Sequence, residues 1–138
     1  MATQITRINP LDLQENIAIG VSLPFNGAMG PFNSTYSTQE QIKHNVVNLL
    51  LTSKGERIFN PELGSDLKRV VFEPVTDDND FISAIQNIII ESINAFIPEI
   101  EVISINITTF PDENSISISV TYKIKISGNA DQITVEFV

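Results

Sequence analysis

The sequence predicts an α+β fold with two main helices on one face of a small, mainly antiparallel C-terminal sheet, preceded by an extended N-terminal arm. Two observations lead to this prediction. Apolar residues recur with the 3.6-residue period of a helix in two stretches between residues 37 and 98, and with the two-residue period of a strand thereafter. Helices layered on one face of such a sheet bury both kinds of apolar stripe.

Residues 1–36 show no sustained period and carry two prolines and two glycines between positions 24 and 31. We therefore predict an extended arm and loop over 1–36 and a single domain over 37–138. The arm is too apolar for a free linker, so we expect it to lie along the domain or along a neighbouring protein. Its expected anchors are Phe25, Met29 and Phe32, although a loop tip that covers its own core is an equal alternative.

The first helix is expected to begin with a capping box, because Ser37 is followed three residues later by Glu40. Gly55 stands where a left-handed C-cap would end this helix. After a turn, Asp66 is the expected N-cap of a second, short helix. The apolar stripe of the first helix is Ile42, Val46, Leu49 and Leu50, widened by Val47 and Leu51.

The main helix is expected to begin after Thr76 as N-cap and to end near Phe96, before Pro98. Three aspartates lie in its first turn, where negative charge meets the positive end of the helix dipole. That placement gives these acids a structural purpose, so we do not interpret them as a metal site. The predicted apolar stripe is Ile82, Ile85, Ile89, Ile93 and Phe96.

The C-terminal third alternates apolar and polar residues, which is typical of half-buried strands. The first strand is expected to point Ile103, Ile105 and Ile107 to one side. After a turn at 111–114, a long strand over 115–127 should pair with it as an antiparallel hairpin. A last strand then carries Ile133, Val135 and Phe137 on one face.

Composition excludes several classes of protein. The chain has 138 residues, 42% of them hydrophobic and 18% charged, as in an ordinary single globular domain. It has no cysteine, no apolar run long enough to span a membrane, and no recognisable secretory signal. The net charge of −9 arises entirely from residues 71–138, which disfavours binding to nucleic acid. We expect no cofactor and no membrane association.

The residues that could carry catalysis are few. His44 is the single histidine, and it falls on the polar side of the first helix. A carboxylate pair for glycoside hydrolysis could come from Glu56, Glu62, Asp66 and Glu73, but each has a simpler local role. No phosphate-binding loop, nucleophile elbow or Cys/His cluster is present. We therefore predict a protein that is not an enzyme and has no catalytic residues, and we keep a lysozyme-like glycosidase as a hypothesis to test.

The final strand is the candidate binding element. A strand at a sheet edge exposes N–H and C=O groups that can recruit a strand from another chain. The alternative, equally open from the residues themselves, is that this strand completes the sheet internally. The candidate residues are Ile133, Thr134, Val135, Glu136, Phe137 and Val138.

One segment carries a family resemblance. Residues 49–73, LLLTSKGERIFNPELGSDLKRVVFE, resemble the signature of the GPW-type baseplate wedge family, which includes the sheath initiator of T-even phages and the TssE component of type VI secretion baseplates. The resemblance extends more weakly over residues 37–138. The residues taken from it as the family's structural motif are Gly55, Glu56, Arg57, Phe59, Pro61, Gly64, Phe72 and Glu73.

The resemblance implies a structural virion protein of the tail baseplate, assembled in the host cytoplasm in six copies. Its implied partners are the tail sheath protein and other baseplate wedge proteins, with tail tube or hub proteins as further candidates. The strands over 115–127 and 132–138 would template the first sheath ring by strand sharing. The alternatives are the equivalent part of a type VI secretion system or phage-like injection device, and a small protein-binding adaptor.

The family also docks on other wedge proteins through a Glu-Pro-Arg motif at the end of the main helix. This chain has Ile97, Pro98 and Glu99 there, so only the proline matches. An apolar residue in place of the acid and an acid in place of the base cannot form the same salt bridge. Either the partner has changed in step, or the contact here is mainly apolar.

Overall fold

The computed structural model describes residues 9–14, 16–22, 33–73 and 78–138. Within this part of the chain the predicted α+β architecture is confirmed. In chain order the elements are β1 (Gly20–Val21), β2 (Ser34–Thr35), α1 (Thr38–Leu51), α2 (Leu67–Val71), α3 (Asp78–Phe96), β3 (Ile100–Phe110), β4 (Ser115–Ile124) and β5 (Ala130–Phe137). Short 3-10 turns occupy Pro10–Leu13 and Pro111–Glu113. The expected arm anchors Phe25, Met29 and Phe32 and the expected cap Thr76 lie outside the described residues.

The main sheet is antiparallel, with β4 between β3 and β5. The alternation predicted for β4 and β5 is confirmed, since their apolar residues face the helices and their polar residues face outward. Strand β4 nevertheless ends at Ile124, and Ile126, which we expected to continue its inner face, is 66% exposed in the following turn. The buried residues of the two strands are Ile118, Val120, Tyr122, Ile124, Ile133, Val135 and Phe137.

The alternation predicted for β3 is wrong at its start. The register shifts between Val102 and Ser104, so Ile103 has no opposite partner in β4 and is 57% exposed. One extra residue in a strand reverses which side chains face the core. Ile100 and Val102 therefore occupy the inner positions before the bulge.

The helices form one layer beneath the sheet, with α1 against β5, α3 against β3, and the two helices in contact with each other. Burying these apolar side chains is the main source of stability, at about 25 cal/mol for each Å² removed from water. Of the predicted α3 stripe, Ile82 remains 38% exposed, whereas Ile97, which lies just beyond the helix, is buried. The fully buried helical residues are Val46, Leu50, Leu67, Ile85, Ile89 and Ile93.

Helix α1 is capped mainly by the N-terminal arm. The Ser37 hydroxyl accepts the Glu40 amide at 3.3 Å, but the reciprocal half of the expected capping box is not formed. Instead the buried Asp12 carboxylate accepts hydrogen bonds at 2.8 Å from both the amide and the hydroxyl of Thr38. An acid at a helix N-terminus satisfies unpaired donors and opposes the helix dipole. The first described part of the arm is therefore fastened to the domain.

The C-terminal end of α1 differs from the prediction. The helix stops at Thr52, which has an extended backbone and whose amide and hydroxyl both donate to the Asn48 carbonyl. Gly55 does adopt a left-handed conformation, with φ of 85°, but it does so in the following loop. The extended exit allows Ser53 to pair with Ser65 next to α2. Asp66 forms an ion pair with Lys54 at 3.5 Å and makes no side-chain cap.

No helix in the described part of the chain is both long enough and apolar enough to cross a membrane.

Among the described residues, one buried side-chain oxygen, the Tyr122 hydroxyl, lacks a well-formed hydrogen bond. The Tyr122 side chain is fully buried in the sheet, and its hydroxyl makes no hydrogen bond of acceptable geometry. It lies opposite Asp131 on β5, close enough to experience that carboxylate's charge. Burial, reinforced by the nearby Asp131, raises the pKa of Tyr122 well above its ordinary value.

We expect Tyr122→Phe to stabilise the protein by up to about 1 kcal/mol at neutral pH, because it removes a desolvated hydroxyl that makes no well-formed hydrogen bond and lies beside the Asp131 carboxylate. In the unfolded state this tyrosine ionises at about pH 10, whereas in the folded state its ionisation is opposed. The free energy of unfolding should therefore fall as pH rises above that value. The free energy of unfolding of Tyr122→Phe should fall less over the same rise in pH. Urea unfolding at pH 8 and pH 11 measures both effects, and an equal loss in the two proteins would contradict this account.

Candidate protein-binding site at the sheet edge

The final strand lies at an edge of the sheet. Strand β5 pairs with β4 on one side, and no other strand of the described chain pairs with it on the other. Of the two alternatives left open by the sequence, internal and edge, the structure has the edge arrangement. An edge strand presents unpaired backbone groups to its surroundings.

The hydrogen-bond pattern identifies which backbone groups of β5 face outward. The Ile124 amide donates to the Asn129 carbonyl at 2.9 Å, so this pair is hydrogen-bonded. Bonded and non-bonded pairs alternate along an antiparallel ladder. The N–H and C=O groups of Ala130, Gln132, Thr134 and Glu136 therefore point to the open side, while those of the residues between them bond to β4.

The edge is closed at its beginning and open further along. The Gln132 amide donates to the Asp131 carboxylate at 2.8 Å, and that carboxylate lies 3.6 Å from the Lys43 ammonium. These contacts occupy the outward amide of Gln132. The outward amides of Thr134 and Glu136 have no such partner within the described part of the chain, and both side chains are exposed on the polar face of the sheet. The section from Thr134 onward is the open edge.

The six candidate residues, five on β5 and Val138 directly after it, divide into two groups. Ile133, Val135 and Phe137 have buried side chains, so they hold the strand on the core and are not free to contact a partner. Thr134, Glu136 and Val138 are exposed, with Val138 at 88%. Any partner must therefore be bound through the outward backbone and the exposed side chains.

The other edge of the sheet is less regular. Strand β3 carries the bulge at Ile103, which bends a strand and interrupts its edge. Bulges of this kind are one of the ways in which proteins protect edge strands from pairing. The regular, bulge-free edge is that of β5.

The segment expected to dock on wedge proteins is split between core and surface. Ile97 is 7% exposed and packs in the core, whereas Pro98 and Glu99 are exposed. The Glu99 carbonyl accepts the Lys125 amide at 2.9 Å, which ties this corner to the end of β4. The apolar residue that replaces the family's acid is therefore used for packing, and it does not present a side chain to a partner.

The loop with the family signature is braced by hydrogen bonds. The Gly55 amide donates to the Pro61 carbonyl at 2.8 Å, and the Ser53 amide donates to the Glu56 carboxylate at 3.0 Å. Arg57 reaches the Asn48 side chain at 3.4 Å. The loop therefore has a defined shape over residues 52–66.

This braced loop projects two apolar side chains into solvent. Phe59 is completely exposed and Ile58 is 90% exposed, so neither contributes to the core. The sequence pointed to Phe59 through the family signature, but it did not distinguish Ile58 from the apolar residues that pack inside. Phe72 is also exposed, at 57%.

Of the four carboxylates weighed as catalysts, Glu62 is exposed and the other three make local contacts. The Glu56 carboxylate accepts a loop amide, Asp66 pairs with Lys54, and Glu73 pairs with Arg69 at 3.6 Å. His44 is half-buried on α1. Among the described residues no group of three or more His, Asp or Glu side chains is arranged to hold a metal ion.

A family model described as baseplate wedge protein gp25 matches residues 36–129. A comparison with curated protein sequences gives no match. Among solved structures, a protein from Geobacter sulfurreducens, described provisionally as a tail lysozyme, superposes with a TM-score of 0.66 at 20% identity, over 75% of this chain and 92% of that one.

Two further similar structures come from baseplates. A chain of the anti-feeding prophage baseplate has a TM-score of 0.52 at 20% identity, over 83% of this chain and 78% of that one. A chain of the postcontracted pyocin R2 baseplate has a TM-score of 0.48 at 23% identity, over 83% and 95% of the respective chains. At these identities the Geobacter and anti-feeding prophage structures support the fold.

We expect Gly64→Ala to destabilise the protein strongly. A Cβ at Gly64 would lie 2.6 Å from the Thr52 carbonyl oxygen, and its φ of 137° is unfavourable for other residues. Gly55→Ala is the matched control, because Gly55 also has a positive φ but has open space around it. The control should lower the free energy of unfolding by about 1–2 kcal/mol, and Gly64→Ala should lower it clearly more. Equal midpoints in urea unfolding would show that the close approach at Gly64 is unimportant.

Proposed function

The chain belongs to the baseplate wedge protein gp25 family, and from this premise we propose that it initiates a contractile tail sheath by pairing the open edge of β5 with a strand of the sheath protein. Membership makes the chain a structural component of a tail baseplate that associates with other baseplate proteins. Strand sharing with the sheath is the specific mechanism that we add.

The observation that carries the proposal is the unpaired backbone of β5 from Thr134 onward. This section contains no proline or glycine, and its strand is anchored by three buried side chains. A partner strand gains main-chain hydrogen bonds here, each contributing about 1 kcal/mol net. The anchored strand is already ordered, so much of the entropic cost of forming the new strand pair falls on the partner alone.

This arrangement supports templating. A sheath subunit that joins β5 is held in one orientation, so the next subunits meet a pre-formed neighbour and nucleation becomes easier. We propose six copies in the baseplate, as the family resemblance implies, so that six open edges define the first ring.

Docking on the rest of the wedge is proposed at the corner formed by Ile97, Pro98 and Glu99. Since Ile97 is buried, the exposed Pro98 and Glu99 would make the contact. Glu99 offers a negative charge where the family has a base, so the matching wedge surface should be apolar or basic at this point.

The same mechanism would serve a phage tail, a type VI secretion system or a phage-like injection device. Neighbouring tail tube, sheath and wedge genes in the source genome distinguish a phage tail from these alternatives and from a small protein-binding adaptor.

A glycosidase is the hypothesis from another class, because one structural neighbour is described as a tail lysozyme. Turbidity of a bacterial cell-wall suspension tests it directly. We expect no clearing by the purified chain. Clearing that Glu73→Gln abolished would replace the structural proposal by an enzymatic one.

We expect Thr134→Pro to abolish sheath initiation while leaving the domain folded. Proline removes an N–H that points to the open side, and its ring obstructs an incoming strand, but no hydrogen bond to β4 is lost. The measurement mixes purified chain with the sheath protein of the same tail and counts sheath tubes by electron microscopy. Deleting β5 would be less informative, because it removes three core residues.

Thr134→Val is the matched control for this substitution. It removes the same hydroxyl, which lies 3.1 Å from that of Ser119, but it keeps the backbone N–H. The control should initiate sheath like the original chain. Circular dichroism must show both variants folded. Normal tube counts with a folded Thr134→Pro protein would refute strand sharing at β5.

A further inference from the structure

Helix α1 lies beneath the edge strand, and its two flanks face different neighbours. On one flank, Asn45 lines a groove together with Phe96 and Ile97 at the end of α3. On the other flank, the Lys43 ammonium reaches the Asp131 carboxylate of β5 at 3.6 Å. Since α3 packs under β3 and α1 under β5, the Lys43 flank is the one beside the open edge.

The Lys43 flank continues as an apolar row. Val47 and Leu51 follow Lys43 at intervals of four residues, so the three share one side of the helix. Val47 lies about 160° around the helix from Asn45, which is away from α3. Val47 is half-buried and Leu51 is 45% exposed. We call Val47 and Leu51 the α1 strip.

The α1 strip is level with the open section of β5. The two elements start together, because Gln39 contacts Asn129 at 3.3 Å and Lys43 contacts Asp131. From Lys43 to Leu51 the helix rises about 12 Å. From Asp131 to Val135 the strand advances about 13 Å. Along the strand direction, Leu51 is therefore level with the section where the Thr134 and Glu136 backbones are unpaired.

We propose that the α1 strip is the apolar surface against which the strand that joins β5 packs its inward side chains. The strip thereby selects an amphipathic strand with an apolar residue at every second position. This inference rests on the proposed function, which supplies the occupant. A strand added to β5 would lie about 4.8 Å further out and direct alternate side chains toward the helix layer. Backbone pairing accepts almost any sequence, so selectivity for the partner strand comes from the α1 strip.

The outward side of the same strand meets a different surface. The outer face of β5 carries Gln132, Thr134 and Glu136, and Glu136 forms no ion pair within the described residues. The alternate, solvent-facing residues of the partner strand should therefore be polar and include a lysine or arginine near Glu136. The partner segment has apolar residues on one side and basic and polar residues on the other.

The test measures binding of the purified sheath protein to the immobilised chain by biolayer interferometry. Leu51→Lys and Leu51→Gln should each weaken binding by roughly tenfold, since they remove one apolar contact. Leu51→Met, which keeps an apolar side chain, should bind within twofold of the original chain. Ile90→Lys is the matched control, because Ile90 is 41% exposed on α3 and outside the strip, and it should have no effect.

The variants separate this inference from the proposed function. If Thr134→Pro abolishes binding but both polar Leu51 variants bind normally, strand pairing stands and the strip plays no part. An equal loss with Ile90→Lys would also refute the strip, because the effect would not depend on position. If Thr134→Pro itself binds normally, the proposed function fails. Leu51 ends its helix and is partly exposed, so two chemically different substitutions there guard against a folding defect in one of them.

Discussion

The open edge of β5 is the structural feature on which the proposed function of this domain depends. A three-stranded sheet has two edges, and each leaves backbone donors and acceptors unpaired. In β3 the bulge at Ile103 interrupts the edge, and in β5 the outward amide of Gln132 is satisfied by Asp131, whereas those of Thr134 and Glu136 have no partner among the described residues. The remaining groups are held in a fixed strand because the inner side chains of β5 are locked in the core. The edge is therefore both rigid and unfilled.

Strand β5 can hold the core and still offer a backbone edge to a partner, because its side chains and its hydrogen-bonding groups point in different directions. Side chains alternate across the sheet, whereas hydrogen-bonding groups lie in its plane. Burying Ile133, Val135 and Phe137 consequently does not use the outward backbone of Thr134 and Glu136. The acidic side chains that could have served catalysis are instead used in local contacts that shape the loop and helices around α1. The function we propose for this domain rests on the geometry of the backbone more than on reactive groups.

The signature segment orients α1 relative to the rest of the helix layer. Thr52 leaves the helix in an extended conformation, Ser65 donates to the Leu50 carbonyl at 2.9 Å, and Gly64 allows the two backbones to approach. These contacts fix where α1 ends and where α2 begins. They also leave Ile58 and Phe59 exposed on an ordered loop, and exposure of this kind is typical of protein contact surfaces.

The sequence by itself determined the class of the fold, the helices α1 and α3, the alternation in β4 and β5, and the family, because these depend on local periodicity and on one contiguous signature. Tertiary structure decided the rest. Asp12 caps a helix from a distant part of the chain, the bulge turns Ile103 outward, and Ile97 belongs to the core, none of which local spacing encodes. The edge position of β5 was undecided for the same reason. A strand shows which side chains face inward, but only its neighbours determine whether its hydrogen bonds are already used.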